Sequence, residues 1–219
     1  MRFAFICFGL FLSLEGLHAE AKLRFICVSG LPGEEETVLA SRNRQGVLKQ
    51  LAKVDLRPSG ITDWMSAAEG EMHLAVRQDG ALESVCEFQY PVGSQRVLVA
   101  LVADKENNTY KAHVIDANKT GFDKGTVMVV NFSGKDALVT LGTNEKKIES
   151  GQDAVLKPGM EKDTTYRQMV SYQDDDEKDV LCHDRHVPEN PDSREMLFLM
   201  DDETLILKVA SLPIFGSID

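Results

Sequence analysis

The chain has 219 residues, 43% of them hydrophobic, and a formal charge of −11. That length holds one or two domains, and the hydrophobic share is enough for a packed core. An acid excess of this size repels nucleic acid and anionic headgroups, and no basic cluster offsets it, so no nucleic-acid partner is expected.

At the N-terminus, Met1-Arg2 is a short basic start, Phe3 to Leu14 is an apolar run, and Ala19-Glu20-Ala21 carries the small-x-small cleavage pattern. This order predicts a signal peptide over residues 1–21. A membrane anchor is the competing reading, but the run is short for a helix that must cross a bilayer. The expected mature chain is exported, to the periplasm or beyond, and has no membrane span.

From there on, apolar or alternating runs follow one another between turn signals. Leu23–Val28, Thr37–Ala40, Val47–Leu56, His73–Arg77, Ser84–Tyr90, Arg96–Ala103 and Tyr110–Asp116 read as strands. After the segment 117–123 come Thr126–Phe132, Ala137–Leu141, Ala154–Lys157, Tyr166–Tyr172, Asp179–His183, Arg194–Met200 and Thr204–Ala210. Short strands at this spacing, with polar turns, predict antiparallel β-sandwiches. Val97–Ala103 and Met196–Met200 are continuously apolar, as strands covered on both faces are. Their second face is expected to meet the other half of the chain or a partner.

The two series repeat each other. Ser29-Gly30 is echoed by Ser133-Gly134, Leu56-Arg57-Pro58 by Leu156-Lys157-Pro158, Val85-Cys86 by Leu181-Cys182, and Arg96 by Arg194. The offset runs from about 96 to 104 residues, the size of a module rather than of a solenoid repeat. The expected organisation is therefore a module over 22–116, a linker over 117–123 and a second module over 124–219, related by internal duplication. Residues 60–68 have no echo and read as an insertion in the first module, with one helical turn capped by Thr62 or Asp63.

Candidate chemistry is sparse. Trp64, the only tryptophan, lies with Met65 in that insertion, and insertions on sandwiches often carry recognition. The competing reading has Trp64 cap the module or wedge between the two. Cys182-His183-Asp184-Arg185-His186 could hold a metal through its histidines or pair a thiol with a base. Strand alternation works against both, since it sends residues 182 and 183 to opposite faces. Asp174–Glu177 and Asp201–Glu203 could offer oxygens to calcium, but they lack the alternating spacing of a calcium loop. His73 aligns with Gln168 and His113 with Lys208, which predicts outward, solvated side chains. Cys27 and Cys86 are candidates for a disulfide in an exported compartment. The alternative is that they and Cys182 are small buried hydrophobes. No motif for a phosphate, a cofactor or a serine nucleophile occurs, so no cofactor is expected.

The strings Thr126-Val127-Met128-Val129-Val130-Asn131-Phe132-Ser133-Gly134, Ala137-Leu138-Val139-Thr140-Leu141-Gly142 and Val155-Leu156-Lys157-Pro158 resemble, at the level of pattern, exported bacterial envelope proteins built from tandem immunoglobulin-like β-sandwich modules. The resemblance implies an all-β fold of two such modules. It implies a non-enzymatic envelope protein that binds a protein or polysaccharide partner through a strand edge or through Trp64. The other function weighed is an enzyme or accessory of envelope polymer modification, of the acyl-transfer type, using Cys182 to His186.

Overall fold

A computed structural model describes residues 21–31, 36–118, 121–159 and 165–201 in full, and 208–214 by their backbone. The expected signal peptide lies outside the described residues, apart from Ala21. Every regular element described is a strand. The first half contains β1 (Lys22–Cys27), β2 (Thr37–Arg42), β3 (Leu48–Lys53), β4 (Gly60–Ile61), β5 (Met65–Ser66), β6 (Gly70–Gln78), β7 (Ala81–Tyr90), β8 (Arg96–Asp104) and β9 (Thr109–Asp116). The second contains β10 (Val127–Asn131), β11 (Ala137–Leu141), β12 (Asn144–Ile148), β13 (Asp153–Leu156), β14 (Thr165–Gln173), β15 (Asp179–Pro188), β16 (Arg194–Met200) and β17 (Lys208–Ile214).

The strands form four sheets. Those of the first half run β4-β1-β8-β9, with β5 also on β1, and β3-β2-β6-β7. Those of the second run β13-β10-β16-β17 and β12-β11-β14-β15. The order is the same in both halves, strand for strand. Most pairs are antiparallel, as expected. However, β1 pairs with β8, and β10 with β16, in parallel. Sequence spacing does not report this, because these partners are separated by the rest of their half.

Alternation along each strand divides the cores. Leu23 and Phe25 of β1 pack with Leu39, Met72, Leu74, Phe88, Val97 and Val99 between the two sheets of the first half. Val127 and Val129 of β10 pack with Val139, Tyr166, Val170 and Leu197 in the second. Ile26, Leu98 and Ala100 face the other way. They meet Met128, Val130, Met196 and Phe198 in a third core that joins the halves. The continuously apolar β8 and β16 thus have the two covered faces that their sequences require. Burial removes the equivalent of several large aliphatic side chains from water at this seam, each contributing about 1.5–3 kcal/mol. Ala117 and Phe122, from the stretch expected to be a linker, are buried in the same core, and Phe122 O accepts a 2.9 Å hydrogen bond from Arg194 Nε.

Residues 60–68 form no helical turn. Gly60 and Ile61 pair with Cys27 and Ile26, and Met65 and Ser66 with Leu23 and Lys22. They run along β1 as β13 runs along β10. The stretch thus supplies the flanking strand that Asp153–Leu156 supplies in the second half. Leu156 pairs with Val127 as Met65 pairs with Leu23, so the sequence echo between Leu56 and Leu156 is out of spatial register.

Candidate functional site

The open side of the first sandwich lies between β3 and the broken strand β4–β5. A cleft of about 560 Å³ there is lined by Cys27, Leu31, Lys53, Asp55 and Tyr110, among others. A second, of about 350 Å³, shares Lys53 and Asp55 and continues past Arg57 and Asp63 to Met65. Thr62 fixes its wall: its Oγ1 accepts from Phe25 N at 2.9 Å and donates to Asp63 O at 3.1 Å. Charges along the walls pair locally, Lys53 with Glu36 at 2.7 Å and Arg57 with Asp55 at 2.5 Å. Tyr110 Oη accepts from Leu31 N at 3.1 Å, and burial raises its pKa. Val47, just before β3, and Leu51 within it are exposed, at 59% and 44%.

Met65 and Trp64 lie on opposite sides of this wall. Met65 packs against the first-half core, and Trp64 against the seam. The guanidinium of Arg24 covers the indole ring at 3.9 Å, and that of Arg96 lies at 5.8 Å. Burial, then the charge of Arg96, lowers the Arg24 pKa, and its Nε is buried without an acceptor. Trp64 is thus a wedge with an occupied ring face.

No disulfide joins Cys27 and Cys86. Both are free and buried, and Cys182 is free and half-buried. Burial pushes the Cys27 thiol up to about 11, and burial with the Glu87 charge pushes Cys86 up to about 12. Neither is a thiolate at neutral pH, as a nucleophile must be.

The segment Cys182 to His186 departs from simple alternation. Val170 pairs with His183 and Ser171 with Leu181, so a β-bulge leaves Cys182 unpaired in the ladder. Cys182 packs on the second core with its Sγ 3.1 Å from Val170 O. His183 also turns inward: its Nε2 lies 3.0 Å from Oε1 of the fully buried Gln168. The expectation of opposite faces for 182 and 183 is corrected by the bulge. Their electrostatics still oppose catalysis. Burial raises the thiol pKa and lowers that of the imidazole, so both stay neutral. Arg185 joins the same inward network through Gln168 Oε1 at 2.9 Å and Glu195 Oε1 at 3.3 Å. On the other face Arg167 holds Asp184 at 2.8 and 2.7 Å, and the exposed His186 pairs with Arg167 in the ladder. His183 and His186 therefore share no ion.

The acidic run at Asp174 is a hairpin tip, where Asp174 Oδ1 accepts from Asp176 N at 3.0 Å and Lys178 N at 2.9 Å. Asp201 accepts from Gly134 N at 3.1 Å, while Asp202 and Glu203 lie outside the described residues. Two further readings are corrected. His113 is not solvated: its Nε2 meets Asp153 Oδ1 at 3.2 Å across the seam, and its ring packs edge-on to Phe132. His73 is fully buried, and it is not the counterpart of Gln168. Leu74 opposes Leu39 as Val170 opposes Val139, so Gln168 stands where Met72 stands and Met169 where His73 stands. A one-residue slip exchanges the faces of a strand. The sequence signal available was the polar series Glu71, His73 and Ser84, Glu87 on two strands joined by the Asp79-Gly80 turn.

No protein-family model and no curated protein matches the chain.

Proposed function

We propose that the chain is an exported, non-enzymatic envelope protein of two immunoglobulin-like sandwiches descended from one duplicated module, and that its first half holds a protein partner in the cleft beside β3. Support for duplication is the common strand order of the halves and the matching bulges, after Leu74 on β6 paired with β7 and after Val170 on β14 paired with β15. Support for export is the N-terminal run from Met1 to Ala21.

The observation that carries the binding reading is the joined cleft, with Lys53 and Asp55 common to both parts and a strand edge on either side. Unpaired strand edges accept an extended segment by main-chain hydrogen bonds, and alternate side chains then enter the cleft. A protein strand suits these walls better than a polysaccharide. Sugar rings stack on free aromatic faces, whereas the face of Trp64 is taken by Arg24. Acyl transfer through Cys182 to His186 is the weaker reading, because the thiol and the imidazole are both held neutral.

The test is photocrosslinking in intact envelopes, with the reactive residue at Lys53 and, as control, at Leu181 of the second half. One discrete product from Lys53 and none from Leu181 is expected. No product from Lys53, or the same products from both positions, overturns the reading.

A further inference from the structure

His73 sits on the outer face of the β3-β2-β6-β7 sheet, since its neighbours Met72 and Leu74 enter the core. It is nonetheless wholly shielded from solvent. Glu71 precedes it by two on β6 and Glu87 opposes it on β7, so all three side chains share one face. Their ligand-type atoms lie within 4.8 Å of one another.

Counting protons sharpens this. The Ser84 hydroxyl has one hydrogen and donates it to Cys86 O at 3.3 Å. At 2.9 Å from His73 Nδ1 the same hydroxyl accepts from the ring in the tautomer protonated on Nδ1, the one that leaves Nε2 open to a metal. Nε2 of the neutral ring is then a lone pair, yet it faces Glu71 Oε1 at 2.8 Å. The contact is closed either by a proton on Nε2, as a hydrogen bond to the carboxylate, or by a metal ion that takes the place of that proton between the same two atoms. Arg42 Nε reaches the same oxygen at 3.1 Å but from outside the pair.

The second half is an internal control. Counterparts of Glu71, His73 and Glu87 by ladder register are Arg167, Met169 and Asp184. There the acid is neutralised within the trio, by Arg167. In the first half two acids and an imidazole converge, and the guanidinium of Arg42 reaches Glu71 from outside the trio.

We propose that Glu71, His73 Nε2 and Glu87 bind a single divalent cation of the Zn²⁺ or Co²⁺ class. Imidazole nitrogen favours these ions over Ca²⁺ and Mg²⁺, which prefer oxygen alone. Ligand bonds of about 2.0–2.2 Å put the ligand atoms of a tetrahedral ion about 3.3 Å apart. Glu87 is exposed and free to swing inward by the small distance needed. Ser84 holds the ring through Nδ1, as an outer partner of a metal-bound histidine does. With three protein ligands, the fourth position falls to water or to a side chain from a partner.

The test uses the full mature chain, titrated calorimetrically with ZnCl₂ and CoCl₂ at neutral pH, with the Co²⁺ absorption spectrum recorded in parallel. One ion per chain is expected, with a cobalt spectrum free of thiolate charge-transfer bands. Glu87→Gln, at an exposed position that folding does not need, weakens binding by at least about tenfold, and Ser84→Ala by about tenfold. His73→Gln abolishes binding. The proposal is overturned if neither ion binds, if Glu87→Gln leaves the affinity unchanged, or if the ¹⁵N spectrum shows a proton retained on His73 Nε2 at saturating Zn²⁺. These outcomes are read from metal binding alone and do not depend on whether a partner is captured at Lys53.

Discussion

The cysteines show how little a residue type says until its surroundings are known. The three cysteines that follow the expected signal peptide leave a bond between Cys27 and Cys86 open on the sequence, and in the structure both are free and buried. The buried thiols also predict a pH response. An unfolded thiol titrates near 9.0, whereas Cys27 and Cys86 titrate near 11 and 12 when folded. Between those values the folded chain keeps protons that the unfolded chain releases, so stability is full below pH 9 and is lost as pH rises through about 11 to 12. Urea midpoints are expected to fall over this window, and to fall less steeply in Cys86→Ala. The buried tyrosines act in the same direction, so the comparison with the variant isolates the thiol. Alkylation of the native chain at pH 8 should label Cys182 first, and Cys27 and Cys86 only on unfolding, as peptide mass mapping would show. His73 was misjudged for a different reason. Its alignment with Gln168 is one residue out, and a polar residue on an outer face reads as solvated unless its neighbours on the sheet are known.

For elements, the legible strands were those with an apolar or alternating run. Arg194–Met200 and Ala137–Leu141 match residue for residue because every second or every side chain is apolar. Asn144–Ile148 was missed because only Ile148 reaches the core and the rest is charged or polar. It is a strand because β11 pairs with it on that side. The pairs Gly60-Ile61 and Met65-Ser66 are too short to carry a period, and β1 imposes their conformation. Trp64 lies between them, and Trp64→Ala is expected to cost about 2–3 kcal/mol, the lower part of the range for aromatic truncation because the ring is only partly buried. Its emission should be blue-shifted in the native chain and move red on unfolding; an unshifted native spectrum would contradict the wedge. A second element depends on two glycines. Gly142, with φ +63°, and Gly159 lie so close that a Cβ on Gly142 would sit 1.8 Å from Gly159 O. Gly142→Ala is expected to cost at least about 2 kcal/mol in urea unfolding, since both the backbone angle and the approach forbid it.

At the scale of the molecule, the continuous apolarity of β8 and β16 signalled a second covered face, and the structure fills that face with the other half of the chain. The consequence is mechanical coupling. With Ile26, Leu98, Val130 and Phe198 in one core, unfolding either half strips the other of its cover. Calorimetry should therefore show one transition. Val130→Asp buries an unpaired charge there, at a cost above about 3 kcal/mol, and should split the trace into two. A single unshifted peak in that variant would show that the halves do not depend on their shared face.

The parallel pairing of β1 with β8 has one more implication, for how the chain comes to be folded. A ribosome or a translocation pore delivers β1 first, yet the neighbour that completes its ladder arrives only near the end of the half, and β10 waits in the same way for β16. Until then a central strand stands with one flank bare. Loops that long close slowly, and a bare flank invites the wrong neighbour. Slow refolding from denaturant and sensitivity to protein concentration during that interval are the behaviour to look for, together with dependence on holding factors while the chain is still being delivered.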